Sequence, residues 1–181
     1  MSTDQRGLSL IELLVFIVVV GIAVTGVLSV YSLNARSSAD PMVRKQAAAI
    51  AESLLDEVLA KPYTYCDPDD ANAETATSPA GCATTAEAMG WETGETRYSN
   101  VTPFDNVNDY DDFAMTGIVD LNGNAVPELG GYSASIRVQQ PAGAFYGIPA
   151  GEILLVTVTV NGPGNHSVAL SGYRTRYAPN F

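Results

Sequence analysis

Residues 13–35 are 23 consecutive positions without a charged side chain, and a single carboxylate, Glu12, stands at their head. As a helix the run spans about 34 Å, enough to cross the hydrocarbon core of a bilayer with some tilt. An acid in lipid costs roughly 2.5–3.5 kcal/mol at mid-helix and less near an end, so a carboxylate kept there is a functional candidate. Gly21 and Gly26 lie inside the run. Each weakens an isolated helix by about 0.5–1 kcal/mol, and each permits close helix packing or local unwinding. A secretory signal peptide needs a basic start, a shorter apolar core and a small-residue cut site after that core. Here Asp4 offsets Arg6, and the apolar run is too long. A plain anchor competes, since a charge near the boundary can snorkel to water. Arg36, Arg44 and Lys45 follow the run, so flanking charge points away from an exported domain if it points anywhere.

The chain has 181 residues, which leaves one modest globular domain beyond the apolar helix. Its net charge of −11 argues against nucleic acid as a partner, because phosphate binding needs clustered Lys and Arg. Residues 64–131 hold 13 acids against one Arg, whereas residues 132–181 hold one Glu against three Arg. The acidic half therefore serves as a solubilising surface or meets ions or a basic partner.

Helical spacing continues beyond the apolar run. Met42, Val43, Ala47, Ile50, Ala51, Leu54, Leu55, Val58 and Leu59 recur at three- and four-residue steps, with charged residues largely between them. Pro41 is expected to kink or break the helix, and Pro62 to end it. Residues 63–112 are rich in Asp, Thr, Ala, Pro, Gly and Asn and read as a long loop region, with a short helix near 84–89. Strands are expected at 113–119, 132–139, 152–161 and 166–177. Turns fall at Asn122-Gly123 and at Gly162-Pro-Gly-Asn165. The expected fold is α+β: a long N-terminal helix packed on a C-terminal antiparallel sheet of about four strands.

The string Arg6-Gly-Leu-Ser-Leu-Ile-Glu12 ahead of an apolar helix resembles the class III signal of type IV pilins and pseudopilins. Leucine stands where phenylalanine is usual after the cut, and Ser9 stands for the commoner threonine; both keep the character of the site. The resemblance implies that prepilin peptidase cleaves between Gly7 and Leu8 and that the new terminus is N-methylated. Glu12 then becomes the fifth mature residue, the position of the family's assembly glutamate. The segments Arg36-Ser-Ser-Ala-Asp-Pro-Met-Val-Arg-Lys-Gln46 and Leu170-Ser-Gly-Tyr-Arg-Thr-Arg-Tyr-Ala-Pro179 look like the D-type minor pilin of the MSHA (mannose-sensitive haemagglutinin) pilus system. The implied organisation is a leader at 1–7, a transmembrane and assembly helix at 8–35, an amphipathic helix at 36–61 and a periplasmic domain at 62–181. The implied role is structural, not enzymatic. Its partners are prepilin peptidase, other major and minor pilins and the inner membrane, which the chain leaves for the pilus fibre. A type II secretion pseudopilin and a membrane-anchored adhesin or binding module are the alternatives.

Cys66 and Cys82 have neither the number nor the spacing of a zinc site or a Cys-x-x-C redox pair. In an exported domain they read as a disulfide, and their polar, Pro- and Gly-containing surroundings disfavour two separate buried thiols. His166, the sole histidine, falls in an expected hairpin turn, and no nucleophile motif accompanies it. Gly162-Pro-Gly164 lacks the strand-to-helix setting of a phosphate loop. Asp105, Asp109, Asp111, Asp112 and Asp120, with Asn122 and Asn124, offer hard oxygens suited to Ca²⁺. The stretch from Asp120 fails as an EF-hand, with glycine at its fourth position and Gly131 at its twelfth. Asp109, Asp111, Asp112 and Asp120 are the candidate ligands, and weak binding at most is expected; solvated acidic loops are the default. No other cofactor is expected.

Overall fold

The computed structural model describes residues 9–176, without the side chains of 34–40. Helix α1 (Leu10–Leu59) opens the fold and contains Pro41. Of the expected kink or break at Pro41, the break does not occur: the helix continues through that residue, and α1 ends three residues before Pro62, close to where the proline rule placed its stop. The chain divides into two compact units, Met1–Met42 and Val43–Phe181.

In the first unit, the stretch Leu10–Leu33 is long and apolar enough to cross a membrane, and none of it is buried within the chain. Side chains such as Leu10, Phe16, Ile22 and Leu33 stand more than half exposed. Such a helix needs lipid or other helices around it, because its apolar area has no partner inside its own unit.

The second unit is the α+β body that the patterning predicts. Strands β1 (Ala114–Thr116), β2 (Ser133–Gln139), β3 (Ile153–Gly162) and β4 (His166–Thr175) form one sheet in the order β1-β2-β3-β4. All three pairings are antiparallel, with Val138 opposite Val156 and Val158 opposite Leu170. Period-two alternation puts Ala134, Ile136 and Val138 of β2, and Leu154, Val156, Val158 and Val160 of β3, into the core. They meet Ala47, Ile50, Ala51, Leu54 and Val58 of α1, with Val43, Leu55 and Leu59 partly buried beside them. Met42, assigned to the same face by spacing, is exposed. Close approach of helix and sheet depends on Gly172: a Cβ there would lie 2.7 Å from Leu59 Cδ1. Gly162 plays the same part near Tyr132 and Val43, at 2.8 and 2.9 Å.

Two expected elements are shorter or absent. β1 spans three residues rather than seven, because Gly117 adopts φ +75° and donates its N–H to Tyr132 O, turning the chain out of the sheet. The expected helix near 84–89 is instead extended chain, with Ala86 bridged to Cys66. Short 3-10 turns occur at Pro79–Gly81 and Asn108–Tyr110. Phe104 packs edge-on against Tyr110 and Phe113, at centroid distances of 5.1 and 5.9 Å, and anchors the long loop region to the body.

Candidate functional site

The helix head comes first. Ser9 is the residue before α1, and its carbonyl accepts the N–H of Glu12 at 3.1 Å and of Leu13 at 3.2 Å. Ser9 Oγ also accepts the Glu12 N–H, at 3.4 Å. This is N-cap geometry with the Ser-x-x-Glu spacing of a capping box, a local role for Ser9 that the sequence pattern contained and that had not been read from it. Glu12 itself lies in the first turn, where the helix dipole favours an anion, and its side chain is exposed. Farther along, Thr25 Oγ1 donates to Gly21 O at 2.7 Å, and Ser29 Oγ donates to Thr25 O at 2.9 Å. Hydroxyls in an apolar segment thus bond to their own helix, which avoids leaving donors unpaired in lipid. Gly7 and Leu8, the expected processing site, lie outside the described residues.

Cys66 and Cys82 are joined, with their Cα atoms 5.4 Å apart. Inside the loop that they close, the buried Asp70 carboxylate accepts N–H bonds from Asn72, Ala83, Thr84 and Thr85 and the Thr84 hydroxyl. The Ala83 and Asn72 N–H groups hold its carboxyl well below the usual carboxylate range. Serine at either cysteine is expected to cost roughly 3 kcal/mol, the chain-entropy value for a loop of about 15 residues. A thermal melt should show a fall of roughly 6–12 °C. Two free thiols in non-reducing peptide maps of protein from the native host would count against the bond.

The four candidate Ca²⁺ ligands are not gathered in one place. Asp111 Oδ1 accepts the Val138 N–H at 2.9 Å and lies 3.7 Å from Arg137. Asp112 pairs with Arg137 at 2.6 Å. Asp120 Oδ1 accepts the N–H groups of Asn122 and Asn124, which shapes the turn around Gly123 and holds the Asp120 carboxyl below its ordinary value. Asp109 is fully buried and stands instead with Glu87 and Glu92, their carboxylate oxygens within 4.8 Å of one another. A second group of this kind comprises Asp67, Asp69 and Asp105. His166 occupies the first position of β4 and is half-buried rather than exposed in the turn.

Sequence reasoning missed the polar clamp on α1. Arg97 donates to both carboxylate oxygens of Glu57, from Nε at 2.8 Å and from Nη2 at 2.6 Å. Its Nη1 donates to Val119 O at 3.2 Å, and the Tyr110 hydroxyl donates to Glu57 Oε1 at 2.9 Å. Arg97 is 6% exposed, so its guanidinium sits out of water, while Glu57 is partly buried. One signal was available: Arg97 is the lone base among the 13 acids of residues 64–131.

The prokaryotic N-terminal methylation motif matches residues 2–28. No curated protein and no solved structure matches the chain. The matched residues include Gly7, Leu8, Glu12 and the first two-thirds of the uncharged run. The head of the chain is thus a prokaryotic N-terminal methylation segment, the kind that marks type IV pilin-like substrates of prepilin peptidase.

Proposed function

We propose that this chain is a minor pilin, a structural and assembly subunit of an MSHA-like type IV pilus. The observation that carries the reading is Gly7-Leu-Ser-Leu-Ile-Glu12 at the head of an uncharged helix, inside the matched methylation motif. Before assembly the apolar helix holds the subunit in the inner membrane, with the disulfide-containing body on the periplasmic side. The oxidising periplasm supports that placement, since Cys66 and Cys82 are bonded. Prepilin peptidase then removes residues 1–7 and leaves an N-methylated Leu8. In the fibre, the exposed apolar side chains of Leu10–Leu33 pack against the helices of other pilins, which replaces lipid by protein at little cost in apolar burial.

Mass spectrometry of the protein purified from its own host tests the reading. The expected mature N-terminus is Leu8 carrying one methyl group. An intact Met1, or a cut beyond the apolar run, overturns it.

A further inference from the structure

We infer that Glu87, Glu92 and Asp109, together with the side-chain oxygen of Asn108, form a binding site for a hard divalent cation of the Ca²⁺ class. This site is independent of the pilin reading and of the ligands expected from sequence, apart from Asp109. Its first support is convergence. One carboxylate oxygen from each acid falls within 4.8 Å of the other two. Its second support is the pattern of partners. Each acid keeps one buried oxygen without a hydrogen bond: Glu87 Oε1, Glu92 Oε2 and Asp109 Oδ1. Asn108 Oδ1 is a fourth such oxygen. Asp109 and Asn108 are 0% and 2% exposed, so water does not reach these atoms freely. Buried acceptors are nearly always satisfied in folded proteins, and orphan oxygens on three converging acids, with a further orphan on the neighbouring Asn108, call for a common donor or a cation.

The surrounding bonds fix the cage. Asp109 Oδ2 accepts the N–H groups of Asp105 and Asn106 at 2.8 and 2.7 Å, which leaves only Oδ1 free. The Asn108 amide nitrogen donates to Glu87 Oε2 and Ala88 O, which leaves its oxygen over. The Gly90 N–H donates to Asn108 O at 3.0 Å and ties the two sides of the site together. Glu87 and Glu92 are half-buried, which gives a cation a route from solvent.

Charge and donor type select the occupant. The charged neighbours that act most on the three acids, Asp67 and Glu95, are negative as well. Arg97, the one base of the acidic half, is committed to Glu57. Three carboxylates with oxygens this close repel one another when ionised. A divalent cation relieves that repulsion. Four oxygens with no nitrogen or sulfur suit Ca²⁺ or Mg²⁺ and disfavour Zn²⁺. Ca²⁺ accepts six to eight oxygens in irregular geometry, with water completing the shell; Mg²⁺ demands a near-ideal octahedron. The irregular mixture of three carboxylates and one amide therefore favours Ca²⁺.

The test uses the full chain in detergent, stripped of metal, with calorimetric titration and thermal melts in CaCl₂, MgCl₂ and ZnCl₂. One Ca²⁺ per chain is expected, with a rise in Tm of about 5 °C at a tenfold excess over Kd and a smaller rise with Mg²⁺. Glu87→Gln and Glu92→Gln should each weaken Ca²⁺ binding by tenfold or more. Without Ca²⁺ both variants should melt at or above the wild-type temperature, because a repulsive charge is gone; this shows that they fold. Asp69→Asn, in the neighbouring acidic group, should leave binding unchanged. The inference is overturned by absence of heat and of a Tm shift at millimolar Ca²⁺, or by binding of Zn²⁺ alone. A Ca²⁺ response that survives both glutamine variants, or that Asp69→Asn abolishes, overturns it equally.

Discussion

Replacing Glu12 with valine is expected to leave membrane insertion intact and to deplete the chain from sheared fibres by tenfold or more. Insertion should if anything improve, since an acid in the apolar helix opposes it. In the proposed fibre the apolar helices bundle and Glu12 leaves water. A buried carboxylate without a partner carries a heavy desolvation cost. Cleavage supplies the partner: the positive amine of Leu8, on the same or an adjacent subunit. Removing one member of a buried pair costs about 3–5 kcal/mol, and 1.4 kcal/mol corresponds to about tenfold in an equilibrium. Glu12 also stands where Ser9 caps the helix, so a local role must be separated from the charge. Glutamine does this, because it keeps a group suited to the capping position and loses the charge. Glu12→Gln is expected to incorporate at an intermediate level. Ser9→Ala should cost only about 1 kcal/mol of helix stability and little incorporation. Immunoblots of sheared fibres against membrane fractions read all three variants. Wild-type incorporation of Glu12→Val would remove the assembly role and favour a membrane-anchored binding module.

Replacing Arg97 with alanine is expected to destabilise the globular unit by about 3–5 kcal/mol, because it strands Glu57 without its main partner. The Glu57 side chain is 17% exposed, against 4% for Arg97, so some water relief places the value at the lower end. For a unit of this size that is a fall in Tm of roughly 6–12 °C. Glu57→Ala should be comparable, because it leaves a buried guanidinium with no counter-charge, facing the rings of Tyr98 and Phe113 and bonded only to backbone carbonyls such as Val119 O. The double variant Arg97→Met/Glu57→Leu should lose much less than the sum of the single changes, since a buried ion pair is replaced by apolar groups of similar length. Urea melts of wild type, Arg97→Met, Glu57→Leu and the double variant close the cycle and give the coupling directly. Strictly additive losses would show that the contact contributes nothing as a pair. Tyr110→Phe, which removes a hydroxyl bond to Glu57, should cost about 1 kcal/mol.

Local patterning was enough to place the membrane-length helix, the apolar face from Ala47 to Val58 and four strands in antiparallel array. These depend on periodicity alone: a helix repeats near 3.6 residues and a strand near two, whatever lies around them. The disulfide was legible because two cysteines leave only one pairing. The N-terminal methylation motif was legible because it is contiguous sequence, over residues 2–28.

What tertiary structure decided are the partners of polar side chains far apart in the chain. Glu57 looked like any solvated helix residue until Arg97, 40 positions later, closed on it. Asp109, Asp111, Asp112 and Asp120 looked like one acidic group by proximity in sequence. Folding sends Asp111 and Asp112 to Arg137, wraps Asp120 in its own turn and places Asp109 with Glu87 and Glu92. Gly172 carried no signal, because its role is set by Leu59 arriving across the sheet. Apolar burial is non-directional and shows in composition and period. Hydrogen bonds and ion pairs depend on distance and angle, and only the folded chain sets those.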